Sequence, residues 1–219
     1  MATTSCRLDH LVIIAASLEQ GAAWCEEKLG VAPGPGGQHG RMGTHNRLLS
    51  LGPECYLEVI AIDPAGARPD MPRWFGMDSP EGRQAMAEGP RLATFVANTN
   101  DIADCAARVP ALGKVHSMQR GALEWLITIP GHGGLNMEGA LPAIIQWPRD
   151  VHPSSTLPDS GCRLARFEVF HPAADSVGRA WRMLNLSDDK MTLHEAAGGP
   201  RFEASIITPS GLKKLGMDA

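Results

Sequence analysis

Apolar and polar positions follow two rhythms along this chain. Residues 8–14 (Leu8-Asp9-His10-Leu11-Val12-Ile13-Ile14) form a short apolar run rich in β-branched side chains, which predicts a strand. Ser17-Leu18-Glu19-Gln20 then has the form of a capping box. Leu18, Ala22, Cys25 and Leu29 follow at helical spacing as one apolar stripe, which Gly30 stops. A Gly-rich block, residues 46–51 and residues 55–62 predict three more strands, and Asp63-Pro64 closes the unit. The predicted order is β-α-β-β-β.

The same order recurs 84 positions later. Residues 91–97 predict a strand, Asp101-Ile102 opens a helix with the stripe Ile102, Ala106 and Val109, and residues 114–118, 123–129 and 141–147 predict strands before Pro148. Leu8 falls on Leu92, Leu18 on Ile102, Cys25 on Val109 and Pro64 on Pro148, all without a gap. A third unit, residues 162–211, reads as a shortened β-α-β-β copy: a strand at 164–170, a helix at 175–186, strands at 191–195 and 202–207, and a close at Thr208-Pro209-Ser210-Gly211. The connector 65–90 carries Trp74-Phe75 and predicts a short helix from Ser79-Pro80, whereas residues 148–161 have no periodicity and predict a loop. The expected organisation is therefore one domain over 7–148, made of modules 7–64 and 91–148, followed by the short third module.

Composition narrows the function classes. The 219 residues are 43% hydrophobic and 20% charged, enough for a buried core, and 24 glycines with 17 prolines favour short elements joined by tight turns. Twenty basic and 24 acidic residues leave a net charge of −4, which lacks the footprint of a nucleic-acid or anionic-membrane binder. No apolar stretch approaches a membrane span, and the first residues do not read as a signal peptide. The five cysteines, Cys6, Cys25, Cys55, Cys105 and Cys162, are scattered and never form C-x-x-C, which points to free thiols and a cytoplasmic location.

Tandem β-α-β-β-β units resemble the vicinal oxygen chelate superfamily of glyoxalases, extradiol dioxygenases and resistance proteins. Leu8-Asp9-His10-Leu11-Val12, Tyr56-Leu57-Glu58-Val59-Ile60, the block from Gly36 to Asn46 and Leu141-Pro142-Ala143-Ile144-Ile145-Gln146-Trp147 are similar to its glyoxalase-like domain branch. The resemblance implies an α+β fold in which two modules curl into an open cup, with His10 and Glu58 facing one cavity. The residues support this on their own account, because both are polar positions inside apolar strands, where a carboxylate is rare unless paired or coordinated. The plain alternative is a satisfied strand histidine and an ion-paired glutamate.

The second module departs from the pattern. The shift of 84 carries His10 onto Thr94 and Glu58 onto Pro142, so two of the four usual ligands are missing. His39 is the available substitute: His10, Glu58 and His39 would form a two-histidine, one-carboxylate set suited to zinc, iron, manganese or nickel, although a turn histidine explains His39 equally well. His45 and Asn46 are adjacent and should point to opposite faces, of which the resemblance implies that Asn46 faces the cavity, and Trp125 and Trp147, with Trp74 and Phe75, are candidates for its walls.

Three functional readings follow. In the first, a divalent metal activates a small oxygen-bearing substrate for isomerase, lyase or dioxygenase chemistry. In the second, Glu58 and His10 form a metal-free acid/base or ligand-orienting pair, as in a sequestering protein. In the third, residues 163–211 pair with a second copy in a homodimer, or else pack over the cup within the chain.

Overall fold

The computed structural model describes residues 4–216. The first module holds β1 (Cys6–Ile14), α1 (Leu18–Leu29), β2 (Gly34–His39), β3 (Thr44–Ser50) and β4 (Tyr56–Ile62). Ser17 caps α1 by accepting the Gln20 N–H, and Gly30 ends it in the left-handed conformation. The connector contains α2 (Pro80–Glu88), capped by Ser79. The second module holds β5 (Arg91–Thr99), α3 (Ile102–Arg108), β6 (Lys114–Arg120), β7 (Leu123–Ile129) and β8 (Ala143–Gln146).

These strands form one sheet in the order β2-β3-β4-β1-β5-β8-β7-β6. In each module the first strand runs parallel to the last, β1 with β4 and β5 with β8. The modules join edge to edge through antiparallel β1 and β5, so two largely buried strands lie at the centre of the sheet. The sheet is strongly curled, and its edge strands β2 and β6 approach each other, with Arg41 donating to the Ser117 carbonyl at 2.9 Å. The curl creates a concave face that carries Val12, Ile14, Ile60, Val96, Trp125 and Ile127, and the connector fills it with Trp74, Phe75, Met77 and Met86.

The outer face carries Leu11, Ile13, Leu57, Val59 and Phe95, and it is covered by α1 and by the rest of the chain. That remainder is β9 (Arg163–His171), α4 (Ala174–Met183), β10 (Met191–Glu195), β11 (Arg201–Thr208) and β12 (Gly211–Leu215). It forms a second sheet in the order β10-β9-β11-β12. The segment differs from the expected β-α-β-β copy in two respects. Pro209 and Ser210 turn a hairpin into a fourth strand, and β9 runs parallel to the strand just after its helix rather than to its last strand. Phe167, Val169, Trp181 and Phe202 pack into the same core as Phe95 and Leu11, with Phe167 5.2 Å from Phe95 between ring centroids. The segment packs within the chain, but on the outer face of the sheet rather than over the cup as expected.

This packing predicts the behaviour of Phe167, which is fully buried between the two sheets. Phe167→Ala should lower unfolding free energy by about 3–5 kcal/mol, the usual range for a buried aromatic. Urea denaturation followed by fluorescence measures it; a loss below about 1 kcal/mol would mean the sheets are not packed as described.

Candidate functional site

The concave face places His10, Tyr56 and Glu58 side by side, because β1 and β4 are in register with His10 opposite Tyr56. His10 shares its face with Val12 and Ile14 by the ordinary alternation of a strand, and Glu58 shares its face with Ile60. Tyr56 stacks on the His10 ring at 4.5 Å and 16°. The His10 Nε2 lies 3.5 Å from Glu58 Oε2, and its Nδ1 donates to Asp9 Oδ1 at 2.6 Å.

Strict alternation would send the Asp9 side chain to the outer face. A β-bulge between Leu8 and His10 breaks the register with β5, so neighbours in sequence act on one cluster. Asp9 is wholly buried. Its second oxygen accepts from Trp147 Nε1 at 2.8 Å, Asn98 Nδ2 at 3.0 Å and His152 Nε2 at 3.0 Å. His152 comes from the aperiodic 148–161 loop, and its Nδ1 accepts the Ser154 N–H at 3.2 Å, which fixes the tautomer that donates to Asp9.

On the other side of Glu58, Asn46 uses all its hydrogen-bonding capacity. Its amide nitrogen donates to Glu58 Oε1 at 2.6 Å and faces His39 Nε2 at 3.4 Å. Its Oδ1 accepts from the Gly37 N–H at 2.8 Å and from Arg120 at 3.2 Å. The glycines of this block have a steric reason. A Cβ on Gly36 would lie 2.2 Å from Asn46 Oδ1, and one on Gly37 would lie 2.6 Å from Arg120 Cδ. His39 completes the chain, with Nδ1 donating to Thr44 Oγ1 at 3.1 Å.

Protonation follows from these contacts. Burial opposes charge on His10, but the hydrogen bonds to Asp9 and Glu58 outweigh it and raise its pKa to about 9. Burial likewise opposes charge on Glu58, yet His10 and Asn46 hold its pKa at about 2. Asp9 is held below the usual carboxylate range against full burial by His10 and His152. His39 has no such support: burial lowers its pKa to about 4, so it is neutral. At neutral pH the cavity therefore presents an imidazolium beside a carboxylate. His10, His39, Tyr56, Glu58, Trp74, Phe75, Arg120, Trp125, Ile127, Ile145 and Trp147 line it, and these side chains leave only about 20 Å³, room for one water.

The structure thus brings His10, Glu58, His39, Trp125 and Trp147 to one cavity, with Asn46 outside its lining but bonded to Glu58 and facing His39. It does not gather the three expected metal ligands into a ligand set. No group of three metal-ligating side chains occurs among the described residues. Both His10 nitrogens face carboxylates, and the free lone pair of His39 points at the Asn46 amide. The donors as arranged do not fit a metal held by the protein alone. The second-module positions have other uses: Thr94 donates to the Gly139 carbonyl at 2.8 Å, and Pro142 leads into β8. Sequence reasoning missed Asp9, Asn98, Arg120 and His152. Only Asp9 carried a signal, a carboxylate inside an apolar strand.

These pKa displacements fix the pH dependence of stability. The His10 contribution is complete below pH 6.5 and is lost as pH rises through about 9; that of Glu58 is complete above pH 4.5 and is lost as pH falls through about 2. Urea denaturation across pH should show stability falling between pH 6.5 and 9. In Asp9→Asn this alkaline fall should move to lower pH, and stability at pH 6 should drop by about 3 kcal/mol. An unchanged alkaline limb would mean that Asp9 does not hold the His10 charge.

Three comparisons bear on family. A family model described as a glyoxalase-like domain matches residues 8–185. A hypothetical protein from Staphylococcus aureus shares the fold at a TM-score of 0.60 and 15% identity, over 88% of this chain and 86% of that one. Weaker likenesses are a 4-hydroxymandelate synthase mutant from Streptomyces coelicolor (TM-score 0.48, 13% identity, 98% and 63% covered) and a methylmalonyl-CoA epimerase from the same organism (0.42, 17%, 68% and 99%). No curated protein matches the sequence. With a family match across most of its length, the chain belongs to the glyoxalase-like domain family, and its curled sheet of two joined modules is the fold that the resemblance to the vicinal oxygen chelate superfamily implied.

Proposed function

We propose that the chain binds a small oxygen-bearing molecule in the concave cavity and moves a proton on it, with Glu58 as base and His10 as acid, without a metal. One observation carries this reading. Two titratable groups 3.5 Å apart in a water-poor cavity hold opposite protonation states at neutral pH, which is the pattern of an acid/base pair.

The substrate class follows from the surroundings. Glu58 is placed to take a proton from a carbon next to a carbonyl or hydroxyl. The Nε2 proton of His10 and the guanidinium of Arg120, which has no carboxylate partner within 4 Å among the described residues, supply positive charge for the oxygen on which negative charge develops. The same contact that now weakens Glu58 as a base is the one a ligand would take over. When the His10 proton turns to the ligand oxygen, Glu58 loses a partner that holds its pKa down and becomes a stronger base. The aromatic walls exclude water, and a ligand larger than the present 20 Å³ requires Trp74, Phe75 or Arg120 to move aside.

Deuterium wash-in tests this. The protein is incubated in D2O with a panel of small 2-oxo acids and hydroxyketones, and loss of the C–H signal beside the carbonyl is followed by proton NMR. Exchange is expected for at least one compound, undiminished by EDTA and reduced at least about 100-fold in Glu58→Gln. Exchange that EDTA abolishes and zinc, manganese, nickel or iron restores would replace this reading with the metal-dependent one. Exchange that survives Glu58→Gln would remove Glu58 as the base.

A further inference from the structure

We propose that Cys6 and Cys105 are an oxidisable dithiol that closes to a reversible disulfide when a peroxide reaches it. The proposal stands apart from the concave cavity and does not rest on the function proposed for it. Cys6 opens β1 in the first module and Cys105 lies in α3 of the second. They are 99 residues apart in sequence, yet their sulfurs are 3.5 Å apart in an S–H···S contact. All five cysteines are free and buried, and this is the only contact between two of them among the described residues.

The pair sits where three parts of the chain meet. The Cys6 N–H donates to the Asn185 carbonyl, and its carbonyl accepts from Ser187, so β1 is docked here on the segment that follows α4. Ile102, Leu112, Ile144 and Leu184 pack around both thiols. Arg108 ties the junction together by donating to the Met183 carbonyl at 2.5 Å and reaching the Thr4 carbonyl at 3.5 Å.

The surroundings assign different roles to the two sulfurs. Cys105 lies 3.5 Å from the Cys6 sulfur, 3.7 Å from the Thr99 hydroxyl and 3.9 Å from the Arg108 guanidinium. The Cys6 contact, then Thr99 and Arg108, bring its pKa down to about 6 against the effect of burial. The same contact and burial push Cys6 above the ordinary thiol range. Cys25 and Cys55, with no such neighbours, are pushed by burial to about 12. Cys105 is buried, and Arg108, whose side chain is 28% exposed, lies 3.9 Å from its sulfur, so hydrogen peroxide reaches the sulfur through local opening beside this partly exposed side chain.

The chemistry balances within the pair. The Cys105 thiolate attacks one peroxide oxygen; an S–O bond forms, the O–O bond breaks, and the departing hydroxide takes a proton to become water. The Cys6 sulfur then displaces the sulfenic hydroxyl; the S–S bond forms, the S–O bond breaks, and the Cys6 thiol proton leaves with that hydroxyl as a second water. Two thiols lose two electrons and the peroxide gains them. A small thiol reopens the bond by exchange. Closure staples the first module to the second at the junction on which the outer segment is docked, and it removes freedom from a long loop of the unfolded chain.

The full-length protein, reduced and desalted, is treated with hydrogen peroxide and mapped by mass spectrometry without reductant. The expected result is a cross-linked peptide pair containing Cys6 and Cys105, with Cys25, Cys55 and Cys162 still open to alkylation after unfolding. Dithiothreitol should reverse it, and the thermal midpoint should rise by on the order of 10 °C on closure. Cys105→Ala should abolish the cross-link; if that variant does not fold, the wild-type map decides alone. Five alkylatable thiols after treatment, over-oxidised Cys105 without a cross-link, or a cross-link between other cysteines would overturn the proposal.

Discussion

The carboxylate of Asp9 has no exposure to water, and the architecture around the cavity follows from that constraint. A lone buried carboxylate is unfavourable by several kcal/mol, so it persists only where donors surround it. Those donors come from four places: His10 beside it on β1, Asn98 on β5, Trp147 just after β8, and His152 from the following loop. One side chain thereby joins the first module, the second module and the 148–161 loop. The bulge in β1, the antiparallel seam with β5 and the folded-back loop all serve the same buried charge.

From Asp9 the consequences run toward the cavity. Asp9 keeps His10 charged, His10 keeps Glu58 ionised, and Asn46 holds the other Glu58 oxygen while Gly37 and Arg120 hold Asn46. The protonation pattern is set by hydrogen bonds that are already in place before any ligand arrives, which is the preorganisation that acid/base chemistry requires. A metal was the expectation from the family resemblance. The residues that would hold it are engaged with each other instead, and the second module offers Thr94 and Pro142 at the positions of further ligands.

Much of the scaffold was legible because its signals are local. Ser17 and Gly30 mark the ends of α1, the run from Leu8 to Ile14 marks β1, and the 84-residue shift reveals two modules that the sheet then joins. His10 and Glu58 stood out as polar residues in apolar strands, and Asn46 through the family resemblance. Asp9 was hidden because alternation points it outward and only the bulge turns it in. His152 was hidden because the aperiodic loop that carries it is placed by the bond it makes to Asp9, a tertiary contact with no trace in the sequence around it. His39 illustrates the converse: its residue type suits a ligand, but burial leaves it neutral and Thr44 and Asn46 engage its ring nitrogens. The third segment misled through Pro209, which resembles a closing proline and instead turns a hairpin into β12.

The central claim is that His10 is a charged acid at neutral pH because of its buried carboxylate partners. Nitrogen-15 NMR of the histidine rings reads this directly. The account predicts that both His10 ring nitrogens carry protons at pH 7 and that the ring titrates near pH 9. A His10 ring that is neutral at pH 7, with one nitrogen free to accept a proton or a metal, would contradict it.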